Sequence, residues 1–267
     1  MWLSGSAGAN MQTQFTHPGY ALCAVLLASA AAGSVLAGGA SSPGRGKGWE
    51  EVADRARTKV VVLKTAREGA YGAATGFLAR PRLVITAGHA VTQGRAITAW
   101  VNGVGYHADV QAIHPDHDLA VLRLRAPELL LKPLELARSA EGLVEDEELV
   151  ILAGPSQPAG AKGDPSARLP IHATFQRRVA LRDASGRVNN LLALRGSVRR
   201  GDSGAPVIRV RDGSVVGVLS SRALPDAQGV SQTAYAVPVD AIQPWLDASP
   251  TSRAGRDEDF YLFRLKK

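Results

Sequence analysis

In the pattern of hydrophobic and polar positions, short apolar runs separated by turn residues dominate the chain from Lys59 onward. Runs of this length, rich in Val, Ile and Thr and bounded by Gly, Pro, Asn or Asp, are typical of β-strands. The first six are VVVLK, AATGFLA, LVITA, AITAWV, HADVQAI and LAVLRL. Six strands are enough to close one small barrel.

A second set of apolar runs follows the acidic stretch 145–148 and predicts a second barrel of similar size. Its members are LVILAG, IHATFQRRVAL, NNLLALRG, APVIRV, SVVGVLSS and TAYAVPV. The segments WEEVADRAR (49–57) and VDAIQPWL (239–246) instead have helical spacing. They predict a short helix before the first barrel and a closing helix after the second.

The composition agrees with an all-β protein of one catalytic unit. A hydrophobic fraction of 45% and a charged fraction of 21% are ordinary for a globular protein, and 28 glycines with 15 prolines favour many turns. The net charge of +7 comes from Lys and Arg scattered through every segment. Because no basic patch is concentrated in one element, nucleic acid is not a predicted partner.

The N-terminal segment, residues 1–40, has the features of a signal peptide or a membrane anchor. Residues 20–40 are apolar, and Val35-Leu36-Ala37 resembles a cleavage site. No Lys or Arg precedes Arg45, so an uncleaved anchor and a disordered Ala/Gly leader are the alternatives. We expect an exported protein, periplasmic or secreted, with membrane association if the segment is retained.

The folded domain is flanked by two further segments, and the single cysteine lies outside it. Residues 41–57 are interpreted as a linker followed by the short helix, and residues 248–267 as a polar tail. Cys23 lies in the N-terminal segment, so neither a disulfide nor a thiol nucleophile is predicted in the folded domain. No cofactor is implied.

Three segments carry residues suited to nucleophilic catalysis. LVITAGHA places His89 just after an apolar strand, DLAVLRL places Asp118 just before one, and GDSGAPV surrounds Ser203 with small residues. A hydroxyl nucleophile needs a base, a carboxylate that orients the base, and donors for the developing oxyanion. The backbone N–H groups of Gly201 and Ser203 are the predicted oxyanion donors.

Together, TAGHA, DLAVLRL and GDSGAPV resemble the trypsin-like serine protease superfamily, with its order of His, Asp and Ser. The resemblance implies two six-stranded antiparallel β-barrels over residues 58–247, with the active site in the seam between them. It also implies a serine endopeptidase that cleaves polypeptides through an acyl-enzyme. A catalytically silent relative that binds peptide and an esterase-like acyl hydrolase are the alternatives.

The helix before the barrels, the lack of disulfides and YAVPVDAI are similar to the HtrA branch of that superfamily. HtrA proteins usually carry PDZ domains after the protease, and residues 248–267 are too few for one. Their motif commonly has Asn where this chain has Asp202. We expect Asp202 to be neutralised internally, with Arg199 or Arg200 as the candidate partners.

By the same resemblance, six residues are assigned to substrate binding. Ser197 is expected at the base of the specificity pocket, Val198 in its wall and Thr233 on the opposite wall, where a branched side chain would shorten it. The six are Ser197, Val198, Arg200, Ser220, Ser221 and Thr233. Small or modest aliphatic side chains are expected before the cleaved bond.

The cluster His114, Asp116, His117 and Asp118 has residue types that bind zinc. It lacks a thiolate or a separate His/Glu pair to complete a tetrahedron, and His-Pro-Asp-His is typical of a turn before a strand. No metal site is therefore predicted.

Overall fold

The computed structural model describes residues 48–67, 70–92, 94, 96–114, 116–126, 131–154, 169–182 and 186–248. The N-terminal segment, the linker up to Lys47 and the tail after Ala248 lie outside the described residues. None of the helices in the described ranges is long and apolar enough to span a membrane.

The first barrel is formed by six antiparallel strands that close on themselves in the order β1-β2-β3-β6-β5-β4. The strands are β1 (Val60–Arg67), β2 (Ala70–Arg80), β3 (Leu83–Thr86), β4 (Ala96–Val101), β5 (Val104–Ile113) and β6 (Ala120–Leu124). A two-residue turn, Asn102-Gly103, joins β4 to β5 with both residues at positive φ. This conformation matches the twist of a tight hairpin.

The second barrel also closes, in the order β10-β11-β12-β9-β8-β7. Its strands are β7 (Glu148–Ala153), β8 (Leu169–Arg182), β9 (Val188–Val198), β10 (Pro206–Arg209), β11 (Val215–Arg222) and β12 (Ser231–Pro238). The prediction of two six-stranded antiparallel barrels is confirmed, and each of the twelve apolar runs became one strand.

Three helices accompany the barrels in the described ranges. Helix α1 (Gly48–Arg57) packs on β7 and β8, and α3 (Val239–Ala248) packs on β11 and β12. Both were predicted from helical spacing. Helix α2 (Gly88–Val91) is a single turn after β3, where the sequence indicated only a turn.

The hydrophobic core has three parts, because most strands are buried on both faces. In β7, Leu149 and Ile151 point into the second barrel, whereas Val150 and Leu152 face the seam between the barrels. This is the period of two that a pleated strand imposes. A separate cluster around Leu63 and Leu122 fills the first barrel. The seam is therefore apolar and packed, and it fixes one barrel against the other.

Candidate active site

His89 and Asp118 approach each other at the rim of the first barrel. The turn α2 follows β3 and carries His89, while Asp118 lies two residues before β6, the strand that pairs with β3. The carboxylate accepts two hydrogen bonds from the same residue: Nδ1 of His89 lies 2.7 Å from Oδ2, and the His89 backbone N–H lies 2.8 Å from Oδ1. Two contacts to one carboxylate fix both the position and the ring orientation of His89.

A third group from the second barrel contacts the same carboxylate. The Ser220 hydroxyl donates to Oδ2 of Asp118 at 2.6 Å. Burial acts to raise the pKa of Asp118, but hydrogen bonds from His89 and Ser220 outweigh it and hold that pKa below its usual value. The carboxylate therefore stays ionised wherever the protein is folded near neutral pH.

A break in the strand pairing presents the Ser220 hydroxyl to Asp118. The register of β11 on β12 shifts between Leu219 and Ser221, which leaves Ser220 at a β-bulge. Bulges often re-aim a side chain next to a functional site. The sequence analysis assigned Ser220 to substrate binding, and the structure shows its side chain in contact with the catalytic candidate Asp118.

The loop that carries Ser203 joins β9 to β10 in the second barrel and lies across from the His89–Asp118 pair. Gly201 adopts a positive φ of 98° and Gly204 one of 86°. A Cβ at Gly204 would lie only 2.1 Å from the Thr75 carbonyl oxygen, so any side chain there would force the loop away. The glycines flanking Ser203 thus allow the loop to press against β2.

The hydrogen bonds of the described residues include none from the Ser203 hydroxyl, and none from the N–H groups of Gly201 and Ser203. The bond between nucleophile and base often becomes short only with substrate bound. Two N–H groups without a protein acceptor are what an oxyanion site requires.

The other predicted binding residues gather around the end of β9 and the β11–β12 pair. Ser197 is exposed and donates its hydroxyl to Gln232 at 2.9 Å, and Thr233 is half-buried opposite Arg195. Arg200 and Ser221 are exposed. Ser197 and Thr233 thus belong to neighbouring strands, as the pocket interpretation requires.

Val198 does not match its predicted place. Its side chain is 1% exposed and packs in the core of the second barrel, so a substrate side chain cannot reach it in this structure. The alternation of side chains along a strand explains why Val198 is not in the pocket. Because Ser197 points to the exposed face of β9, the next side chain, Val198, points into the barrel.

A residue missed by the sequence reasoning, Arg222, lies at the end of β11. Its guanidinium is half-buried and donates to the Gly229 carbonyl oxygen at 2.6 Å. Its charge also acts on the carboxyl group of Asp202, close to Ser203. In the sequence, the one available indication was that Arg222 follows Ser220, a predicted binding residue, by two positions. Residues two apart on a strand lie on the same face.

The histidines near Asp118 form a turn. Nδ1 of His114 accepts the backbone N–H groups of Asp116 and His117, at 3.0 and 3.2 Å. Burial lowers the pKa of both His114 and His117. Within the ranges described, no group of three or more His, Cys, Asp or Glu side chains is arranged to hold a metal ion. The turn instead places Asp118 in front of β6.

A family model described as a trypsin-like peptidase domain matches residues 74–218, more than half of the chain. The chain belongs to the trypsin-like peptidase family. The matched range contains His89, Asp118 and Ser203. No curated protein sequence matches the chain.

Solved structures of trypsin-like proteases share the fold. The active form of the Rv3671c protease from M. tuberculosis superposes with a TM-score of 0.65 at 22% identity, over 81% of this chain and 95% of that one. For its inactive form the values are 0.61, 23%, 79% and 98%. The HtrA-type protease AlgW, with a tripeptide, gives 0.62 at 15% identity over 76% of this chain and 64% of that one. These likenesses establish the fold.

Arg199, one of the two predicted partners of Asp202, contacts it through its backbone N–H and not through its guanidinium group. Oδ2 of Asp202 accepts the backbone N–H of Arg199 at 2.6 Å, and the ion pairs of the described residues include none to Asp202. Burial raises its pKa to about 6, against the hydrogen bond from Arg199 and the charges of Arg199 and Arg222. The loop uses a main-chain donor because Arg199 and Arg200 are exposed on its outer side.

We expect Asp202→Asn to stabilise the protein above pH 6. A carboxyl group with a raised pKa favours folding only when protonated, so its contribution is lost as pH rises from about 4 through about 6. Two pKa units correspond to roughly 3 kcal/mol at most. Asn keeps an acceptor for the Arg199 N–H without the charge.

Urea denaturation at pH 5 and pH 8 measures this effect. The free energy of unfolding of Asp202→Asn should exceed that of the wild type at both pH values, and by more at pH 8, because part of the effect develops only as the pH rises from 5 through about 6. Asp212→Asn is the matched control with the opposite sign, because hydrogen bonds from Ser214 and Arg209 lower the pKa of Asp212 despite its partial burial. Equal stability of the wild type and Asp202→Asn at pH 8 would contradict the buried charge.

Proposed function

We propose that this trypsin-like peptidase is a serine endopeptidase that uses His89, Asp118 and Ser203 as its catalytic triad. The observation that carries the proposal is the double hydrogen bond from His89 to Asp118, with Ser220 as a third contact. An ionised carboxylate that orients an exposed imidazole is the arrangement that activates a serine hydroxyl.

In the proposed reaction, Nε2 of His89 takes the proton of Ser203 as Oγ attacks the carbonyl carbon of the substrate. Asp118 stabilises the imidazolium that forms and holds Nδ1 in the donor tautomer. The N–H groups of Gly201 and Ser203 stabilise the oxyanion. His89 then protonates the leaving amine, and water hydrolyses the acyl-enzyme by the same steps in reverse order.

Polypeptide is the proposed substrate. The AlgW structure contains a tripeptide, and its barrels have the same fold as those of this chain. Ser221 is exposed near the end of β11, where an extended segment can pair with the strand.

A fluorophosphonate probe tests the nucleophile directly. We expect it to label Ser203 in the wild type, identified by peptide mass spectrometry, and to leave Ser203→Ala unlabelled. A folded wild type that is not labelled would indicate a peptide-binding relative without activity. Labelling with cleavage of simple esters but not of casein would indicate an acyl hydrolase instead.

Peptidase activity should increase with pH through the range in which histidine titrates, near pH 6.5. His89 must be neutral to accept the proton of Ser203, whereas Asp118, with its lowered pKa, remains ionised across this range. Asp202 titrates nearby, so Asp202→Asn is the control and should show the same midpoint.

The same measurements include a chelator. EDTA should leave the activity unchanged at every pH, because the proposed mechanism moves protons only between side chains and substrate. Loss of activity in EDTA that zinc restores would contradict the mechanism and indicate a metal-assisted reaction.

Export forms a separate part of the proposal and rests on residues 1–40 of the sequence. We propose that this segment directs the chain out of the cytoplasm, with cleavage after Ala37 or retention as an anchor. The mass of the mature N-terminus, together with fractionation of the producing cells, distinguishes the two.

A further inference from the structure

Thr75, in the middle of β2, connects the two barrels directly beneath the Ser203 loop. It is fully buried and uses each of its polar groups. Its N–H donates to the Ser203 carbonyl oxygen at 2.9 Å, and its hydroxyl donates to the Gly201 carbonyl oxygen at 3.0 Å. The hydroxyl accepts the Gly154 N–H at 2.8 Å, and the Thr75 carbonyl oxygen accepts the Thr86 hydroxyl at 2.7 Å.

The chemistry of the partners fixes the direction of these bonds. A hydroxyl has one proton to donate, and the carbonyl oxygen of Gly201 can only accept, so the proton of Oγ1 points to Gly201. The N–H of Gly154 then donates to a lone pair of Oγ1. Buried donors and acceptors that lose their partners cost free energy, which makes this arrangement of Thr75 resistant to rotation.

The two bonds to the loop lie on either side of the Ser203 N–H. One bond fixes the carbonyl of Gly201, and the other fixes the carbonyl of Ser203. Asp202 lies between these two carbonyl groups in the chain. Gly201 lacks a Cβ and is at positive φ, so its own conformation restrains the loop little. The contact with Thr75 supplies the restraint that glycine cannot.

The surroundings of Gly204 show how closely the Ser203 loop packs against Thr75. A Cβ there would lie 2.1 Å from the Thr75 carbonyl oxygen and 2.3 Å from the Thr86 hydroxyl. The Ser203 loop is thus packed directly against β2, with no room for a side chain between them.

We infer that Thr75 is a positioning residue for the oxyanion site: its hydroxyl holds the carbonyl of the Gly201–Asp202 peptide, which lies between the peptides that carry the Gly201 and Ser203 N–H groups, so that these two N–H groups converge on one oxyanion. This role rests on the proposed serine endopeptidase function. Thr75 contacts neither substrate nor His89, so its loss should affect the stabilisation of the transition state and spare the base.

Thr75→Val removes the hydroxyl and keeps the branched shape, whereas Thr75→Ser keeps the hydroxyl. We expect Thr75→Val to lower kcat and the rate of fluorophosphonate labelling about 10- to 100-fold, somewhat less than deletion of an oxyanion donor. KM and the midpoint of the pH profile should not change. Thr75→Ser should restore activity to within a few-fold of the wild type.

Thr65→Val is the matched control, because Thr65 is another buried threonine of the first barrel and, among the described residues, its hydroxyl donates only to the Gly72 carbonyl oxygen, at 3.4 Å. It should lose stability without losing labelling rate. All variants are compared well below their unfolding temperatures, with the folded fraction measured by circular dichroism.

The outcomes separate the inference from the proposed function. A wild type that is labelled and active, with a folded Thr75→Val as fast as Thr65→Val, overturns the role of Thr75 alone. Failure of Thr75→Ser to restore activity also overturns it, since the hydroxyl would then not be the group that matters. A folded wild type that neither reacts with the probe nor cleaves peptide overturns the proposed function and this inference with it.

Discussion

Replacement of Ser203 or His89 by alanine is expected to lower peptide turnover about a million-fold, because nucleophile and base act as one unit. Asp118→Ala should cost less, about ten-thousand-fold, since the nucleophile and the base are both still present. The hydrogen bonds from His89 and Ser220 would then lack their acceptor, so the loss comes from a misoriented imidazole.

Single-turnover and steady-state assays on a fluorogenic peptide measure these losses, with unfolding curves to show that each variant is folded. Ser214→Ala is a suitable control, because Ser214 lies in the turn at the other end of β10 and its hydroxyl contacts Asp212. Near-wild-type activity in a folded Ser203→Ala protein would contradict the triad.

The strands were predictable from the sequence because burial on both faces produces continuous apolar runs with clear turn residues between them. The side chains of β7, for example, alternate between the interior of its barrel and the seam, so LVILA, the part of the strand after Glu148, is apolar throughout. The closure of each barrel was not a local property. It depends on the pairing of β1 with β4 and of β7 with β10, between segments far apart in the chain.

The site was predictable only where its residues lie in short motifs. His89, Asp118 and Ser203 each adjoin a strand end, and their order in the chain matches that of the family. Thr75 had no such signal, since its sequence context is that of an ordinary strand residue, and Ser220 was assigned to substrate binding without its contact with Asp118. The partner of the Thr75 hydroxyl is Gly201, 126 positions later, and Ser220 meets Asp118 through a bulge that no local pattern indicates.

The partner of Asp202 illustrates a different limit. A buried carboxylate beside two arginines suggests an ion pair, yet the guanidinium groups of Arg199 and Arg200 gain more hydration at the surface than they would from burial. The backbone N–H of Arg199 pays no such cost, since it must find an acceptor in any case.

Discrimination against Arg and Lys before the cleaved bond is expected to reach about a thousand-fold relative to Ala or Val. Ser197 lies where a basic side chain would need a carboxylate, and its hydroxyl is already bonded to Gln232. Arg222, at the end of β11, adds a positive charge that also acts on Asp202. The nearby carboxyl group of Asp202 is held by the Arg199 N–H and is offset by both Arg199 and Arg222.

The size of the preferred side chain follows from Thr233. It is half-buried, its carbonyl oxygen accepts the Ala223 N–H at 3.0 Å, and its N–H lies 3.3 Å from the Ser231 hydroxyl. These contacts fix the backbone, so the branched side chain cannot withdraw to admit a large ring. Because this branched side chain would shorten the pocket, Ala, Val or another modest aliphatic residue should fit best.

A fluorogenic peptide panel that varies only the residue before the cleaved bond measures this preference as kcat/KM. Thr233→Gly should extend the preference toward Phe and Leu, whereas Gln228→Ala, exposed in the turn between β11 and β12, is the control and should leave the size limit unchanged. Arg222→Ala should reduce the discrimination against Lys, because it removes the positive charge of Arg222.

Preferential cleavage after Arg or Lys by the wild type would refute this pocket. Preference after Phe or Tyr would place Thr233 outside the pocket wall, and preference after Glu or Asp would show that Arg222 or Arg200, rather than Thr233, dominates recognition.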